Sequence, residues 1–231
     1  MSFKKNKYVI RREAVSKDMA TFIYNYFLMK RQVYDTCLRS RYISPYETMF
    51  GWYEKNNQQV PNTYALYADI VMETLMLKCQ PLMEKITELK LQPAYTYARL
   101  YKKGDILHRH KDRFSCEISA TLFLGGDPWS IFLDPTGTDN ILSGTETTTV
   151  VKPNAPKGIK VDLKSGDMLI YRGHELEHWR EKLKGKECAQ VFLHYHSKKT
   201  SSSKQIFFDE RPHLGLPGWF KNFELPKTDA K

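Results

Sequence analysis

His108-Arg109-His110-Lys111-Asp112 is the stretch on which the reading of this chain turns. His110 and Asp112 are one residue apart, and strand side chains repeat every second residue, so in an extended segment both project to the same side. Two histidines and one carboxylate on one face of a metal leave the opposite face open, which suits non-heme Fe(II) chemistry with O2. His178 is the later histidine that completes such a set. Each piece also has a plainer reading, because a histidine and an aspartate two apart in a basic stretch commonly form a solvated turn. The rest of the sequence has to decide between the two.

Composition narrows the classes. The chain has 231 residues, 41% hydrophobic and 13% aromatic, which suits one globular domain, alone or with a helical extension. No apolar run approaches the roughly 20 residues needed to span a bilayer, and the start, Met1-Ser2-Phe3-Lys4-Lys5, lacks the apolar core of a signal peptide. A cytoplasmic protein is expected, in the host cytoplasm if the source is viral. Cys37, Cys79, Cys116 and Cys188 lack Cys-x-x-Cys spacing and are read as reduced, structural thiols. The net charge of +10 is spread among acidic residues without a basic tract, so it reads as a solvated surface rather than a nucleic-acid footprint.

Outward from the opening stretch, the hydrophobic period changes near residue 90. Before it the pattern is helical, with Ser16 as a cap for a helix from Lys17 to about Met29 and a second helix from Tyr64 to Lys78. Pro81 is expected to interrupt that helix before Leu82 to Leu89 resumes. Met72, Met76 and Met83 read as core. Residues 44–61 form a polar, aromatic-rich connection, a candidate lid. After residue 91 the period is two. Short strands are expected at Tyr95 to Tyr101, Ile106 to Asp112, Cys116 to Leu124, Trp129 to Leu133, Thr145 to Val151, Ile159 to Leu163, Met168 to Tyr171 and Ala189 to His196. Asp134 to Ser143 reads as a loop. The expected fold is mainly β with N-terminal helices (α+β), a jelly-roll, cupin-like double-stranded β-helix. Its parts are a helical support over 1–90, a core over 91–200 and a tail over 201–231, whose aromatics pack on the barrel.

One motif competes. His174-Glu175-Leu176-Glu177-His178 satisfies His-Glu-x-x-His, which on a helix places two histidines around zinc with a glutamate as base, as in metallopeptidases. It requires a helix, and Gly173 stands directly after a strand-like Met168 to Tyr171.

The order of His110-Lys111-Asp112, Ser119 to Leu124, Gly166-Asp167-Met168-Leu169-Ile170 and Glu177-His178-Trp179-Arg180 resembles the Fe(II)- and 2-oxoglutarate-dependent oxygenases. Leu100-Tyr101-Lys102-Lys103-Gly104 makes it similar to the prolyl-hydroxylase branch, with bacterial and bacteriophage members. The likeness spans residues 91 to 197. It implies His110, Asp112 and His178 as iron ligands and Tyr101 as a hydrogen-bond partner of 2-oxoglutarate. His108 is an alternative first ligand without a carboxylate at the required spacing, while His194 and His196 need not touch the metal. The family generally places a cation nine or ten residues after the distal histidine, where this chain has Glu187 and Cys188. Arg180 and Lys186 are the candidates left for the far carboxylate, with Arg180 preferred because its planar fork binds carboxylate bidentately. Arg113 and Trp129 are candidates for the substrate opening.

The activity so implied consumes Fe(II)-bound O2 and 2-oxoglutarate, with ascorbate as a further candidate, and releases succinate and CO2 as a C–H bond is hydroxylated. A prolyl or other peptidyl residue is the expected substrate, and a peptide or protein the expected partner. A nucleic-acid dealkylating oxygenase, a zinc peptidase and a non-catalytic jelly-roll module are the rivals.

Overall fold

The computed structural model describes residues 2–53, 60–145, 148–199 and 207–224. A short helical turn α1 (Phe3–Asn6) and strand β1 (Tyr8–Arg11) precede helix α2 (Lys17–Arg39). Then come β2 (Trp52–Tyr53), β3 (Tyr64–Tyr67), α3 (Ile70–Thr87), β4 (Leu91–Lys102), β5 (Leu107–His110), β6 (Ile118–Gly126) and β7 (Ile131–Leu133). The remaining strands are β8 (Ile141–Thr145), β9 (Thr148–Val151), β10 (Ile159–Val161), β11 (Met168–Tyr171), β12 (His178–Arg180) and β13 (Glu187–Ser197).

Seven strands form a large antiparallel sheet in the order β1-β11-β6-β13-β4-β3-β2. A smaller sheet, β10-β7-β12-β5, faces it, and β8-β9 is a separate hairpin. Side-chain parity assigns the two faces of the large sheet. Ala98, Leu100, Ala120, Leu122, Met168, Ile170, Val191 and Leu193 pack outward with Ile23, Phe27, Met72, Met76 and Met83 of the two long helices. Tyr101, Phe123, Leu169, Tyr171 and Cys188 point the other way, toward Leu107, Ile131, Leu133 and Val161 of the small sheet. Because helices cover one face and a second sheet the other, the central strands lose the alternation of a half-exposed sheet. This is the expected double-stranded β-helix.

The first ninety residues are less purely helical than their pattern suggests. Tyr64 to Tyr67 is a strand, paired from Tyr64↔Leu100 to Tyr67↔Tyr97, not the start of a helix. The helix begins after Asp69, whose carboxylate accepts from the amides of Val71 and Met72 at 3.0 and 3.2 Å, an N-cap that the apolar run concealed. Pro81 lies inside α3 without interrupting it. The carbonyl that it leaves without a donor belongs to Leu77, on the solvent side, where the side chain is half exposed. The helix α2 runs ten residues past Met29, and Ser16 caps it through Met19. Residues 141–145, expected as loop and strand edge, form one arm of the β8-β9 hairpin.

The described part of the C-terminal segment meets the core through charge and through Leu214, which packs against the helix-side cluster. Arg211 and Glu73 form a buried ion pair at 2.7 Å, while Trp219 and Phe223 remain about half exposed.

Candidate metal centre and its cavity

β5 and β12 are neighbours in the small sheet, and their register sets His110 directly opposite His178. The imidazole centroids are 4.3 Å apart. Asp112 follows just beyond β5, where its amide donates to the Gly173 carbonyl at 2.9 Å. One carboxylate oxygen, Oδ1, lies 3.6 Å from His110 Nε2 and 3.4 Å from His178 Nε2. The three donor atoms lie within 4.8 Å of one another. A first-row ion bound at about 2.1 Å from each donor is consistent with such separations.

The histidines are prepared for that role. His110 Nδ1 donates to the His108 carbonyl at 2.7 Å, and His178 Nδ1 to the Leu176 carbonyl at 3.0 Å. A carbonyl only accepts, so both Nδ1 atoms carry the proton and both Nε2 lone pairs face Asp112. Burial and the adjacent His178 lower the pKa of His110, favouring the neutral ligand form. Burial opposes ionisation of Asp112, yet His178 and the other adjacent imidazoles hold its carboxyl well below the usual range. The other carboxylate oxygen accepts from Ser119 Oγ at 3.0 Å, and Ser119 also meets His194 Nδ1 at 3.0 Å. Gly173 is required here, because a Cβ at that position would overlap Asp112 Oδ2 and Ser119 Oγ and lie 2.8 Å from the Cys116 carbonyl.

The donor set opens on a cavity of about 350 Å³ between the sheets. His110, Asp112, His178, Tyr101, Tyr171 and Leu107 line one part, and Tyr95, Tyr97, Arg99, Lys111, Arg113 and Phe192 much of the rest. Tyr101 is buried and packs edge-on against Trp129 at 4.8 Å. Burial pushes its hydroxyl up to about 12, so it is a donor at neutral pH.

Arg180 follows His178 by two residues on β12 and is fully buried. Its guanidinium donates to the Trp129 carbonyl and, at 3.3 Å, to Thr121 Oγ1, and lies over the Trp129 ring. No carboxylate pairs with it among the described residues, and its Nε has no hydrogen-bond partner. Burial lowers its pKa for that reason. Lys186, the other candidate cation, is exposed and outside the cavity lining.

Other expectations need correction. Gly173 to Leu176 is a turn leading into β12, so His174 and His178 do not share a helical face, and His174 is outside the donor cluster. The zinc-peptidase reading loses its geometric requirement. Trp129 packs between Tyr101 and Arg180 rather than at the opening, whereas Arg113 does line the cavity. In the candidate lid, Trp52 lies edge-on to Tyr97 at 6.2 Å, while 54–59 fall outside the described residues. Tyr95, Tyr97, Arg99 and His194 were not singled out as cavity residues. Strand parity carried that signal: Tyr95, Tyr97, Arg99 and Tyr101 share one face of β4, opposite Ala98 and Leu100.

No protein-family model and no curated protein sequence matches this chain. Solved structures do, and they define the class of fold as that of the 2-oxoglutarate-dependent oxygenases. A Pseudomonas putida prolyl-4-hydroxylase is similar at TM-score 0.51 and 13% identity, over 85% of this chain and 95% of that one. The α-ketoglutarate-dependent carbocyclase SnoK of nogalamycin biosynthesis gives TM-score 0.57 and 10% identity over 90% and 89%. HygX from Streptomyces hygroscopicus, with nickel and 2-oxoglutarate bound, gives 0.56 and 15% over 85% of each chain. Among the described residues no helix is long and apolar enough to cross a membrane.

Proposed function

We propose that this protein is an Fe(II)- and 2-oxoglutarate-dependent oxygenase. The observation that carries the reading is the convergence of His110 Nε2, His178 Nε2 and Asp112 Oδ1 on one point, with both imidazoles fixed in the metal-binding tautomer and a cavity on the open side. Iron held there would supply the O2 chemistry that converts 2-oxoglutarate, O2 and R–H into succinate, CO2 and R–OH.

The chain's own residues then have distinct tasks. His110, Asp112 and His178 hold the metal. Arg180 and Thr121 receive the far carboxylate of 2-oxoglutarate, which gives the buried guanidinium the counter-charge that it lacks among the described residues. Tyr101, whose hydroxyl makes no hydrogen bond among the described residues, donates to the same cosubstrate. Leu107 and Tyr171 exclude water from this part of the cavity. We further propose a prolyl or other peptidyl residue as the substrate, supported by the prolyl-hydroxylase likeness of the motifs and by the prolyl-4-hydroxylase among the fold neighbours.

Anaerobic addition of Fe(II) and then 2-oxoglutarate tests the assignment. A weak visible charge-transfer band is expected in the parent and is lost in His178→Ala, and exposure to O2 yields succinate. A parent with neither band nor succinate would overturn the reading.

A further inference from the structure

The oxygenase reading leaves one cavity cation without a task. A dication, the Asp112 carboxylate, dianionic 2-oxoglutarate and the Arg180 guanidinium sum to zero charge. Of the cations in the cavity lining, Lys111 is paired with Asp139, and Arg99 donates to the Tyr97 hydroxyl at 3.0 Å and lies over the Tyr97 and Tyr101 rings. Arg113 is different. Its guanidinium lies over the Tyr95 ring, 4.5 Å from the centroid, with Nε donating to the Tyr95 hydroxyl at 3.3 Å. One amino group donates to Asp209 at 2.9 Å, and the other, Nη1, has no hydrogen-bond partner among the described residues.

Asp209 does not neutralise this site. The same carboxylate oxygen takes Lys221 Nζ at 2.7 Å and the Tyr67 hydroxyl. Two cations share one carboxylate, so the cluster keeps a net positive charge, and half of the Arg113 side chain is exposed. The wall that it completes leads to the metal ligands. Tyr95 stacks on His194 at 4.5 Å, His194 meets Ser119, and Ser119 donates to Asp112.

The tail is bent to deliver Asp209 to this place. Phe208, Asp209 and Glu210 have φ of 51°, 56° and 67°, three consecutive non-glycine residues in the left-handed region. Such a run costs free energy and persists only where the surroundings enforce it, here through the buried Arg211–Glu73 pair.

We infer that Arg113, positioned by Asp209 of the C-terminal segment, binds an anionic group of the substrate. The group is a carboxylate or phosphate, and the part of the molecule beside it packs on Tyr95, Tyr97 and Phe192. On a peptide it is an acidic side chain or a terminal carboxylate. Calling this ligand the substrate rests on the oxygenase reading, whereas the anion site itself does not.

The test uses full-length protein with Ni(II) and saturating 2-oxoglutarate, so that the cosubstrate position is filled. Benzoate and phenyl phosphate are compared with neutral benzamide by ligand-observed NMR titration. One of the two anions is expected to bind about 10-fold or more tighter than benzamide, the gain of one charge-assisted hydrogen bond. Arg113→Gln should bring the three probes within about twofold, and Arg113→Lys should restore part of the preference, with folding checked by thermal melting. Equal binding of all three probes by the parent overturns the inference without any variant, and so does an anion preference that survives in Arg113→Gln. Loss of the Fe(II) charge-transfer band in a parent that still prefers the anion would remove the oxygenase reading and leave the anion site standing.

Discussion

Arg113 lines the cavity and Arg180 is buried two residues after His178 on β12, and the surroundings of the two arginines are opposite. Arg180 is buried against a tryptophan, a carbonyl and a hydroxyl, with no carboxylate among the described residues. Arg113 is half exposed and shares a carboxylate with a lysine. A guanidinium in water needs no partner, but one removed from water carries a desolvation cost of several kcal/mol until an anion joins it. The Arg180 position therefore favours one small anionic ligand, and the Arg113 position is adjustable. On the proposed function, the first is the cosubstrate position and the second faces whatever is oxidised.

Replacing Arg180 tests that contrast most severely. Arg180→Met should weaken 2-oxoglutarate by about 100-fold or more, the scale of a truncated buried charge pair. The same change should abolish ligand-induced stabilisation. In the parent, Fe(II) with 2-oxoglutarate at about 100 times its Kd adds about 2.7 kcal/mol, or roughly 5–10 °C of melting temperature in a domain of this size. A variant that keeps this shift would move the cosubstrate carboxylate elsewhere.

Asp112 lines the cavity together with Arg113, and Gly173→Ala presses on it from behind. Displacing the carboxylate should lower Fe(II) affinity by about 10- to 100-fold, measured by titration under anaerobic conditions. Unchanged affinity would mean that the Gly173 turn yields and Asp112 does not.

At the outer wall, the pKa of His194 is lowered to about 4, chiefly by burial. Its unfolded value is near 6.5, so between these the unfolded chain binds the extra proton. The metal-free protein should keep full stability above pH about 6.5 and lose up to about 3 kcal/mol as pH falls toward 4. Denaturant titrations of His194→Gln should show a shallower decline. An identical decline would assign the titration to another group, with His110 the first to examine. The smallest effect is expected at Lys186, where an exposed side chain outside the cavity makes Lys186→Ala neutral for 2-oxoglutarate KM.

The candidate metal donors were the most legible part of the sequence, because two of them sit two residues apart and strand periodicity turns that spacing into a shared direction. The cross-strand pairing of His110 with His178 was not legible, since it depends on a register set far from either residue. Arg180 could be named from its spacing to His178, but its burial without a counter-ion needed the neighbouring strands. Asp209 and Arg211 gave no signal at all. They follow an unremarkable polar stretch, and their roles arise only from a bend that no propensity favours. Tyr64 to Tyr67 misled for a related reason: a short apolar run reads equally as strand or helix, and Asp69 was the residue that separated them.

The seven-stranded sheet is bounded on one side by β1 and on the other by β2, both drawn from the first fifty-three residues. Interior strands such as β11 and β3 are thereby denied an open row of amides and carbonyls on which another chain could add. During synthesis, however, Tyr8 emerges long before Tyr171, the residue that it pairs with. The guard strand must wait until most of the sheet exists. Assembly is therefore expected to be slow and prone to self-association, and a chain shortened past Arg11 should keep α2 and α3 yet dimerise or aggregate along the uncovered edge of β11.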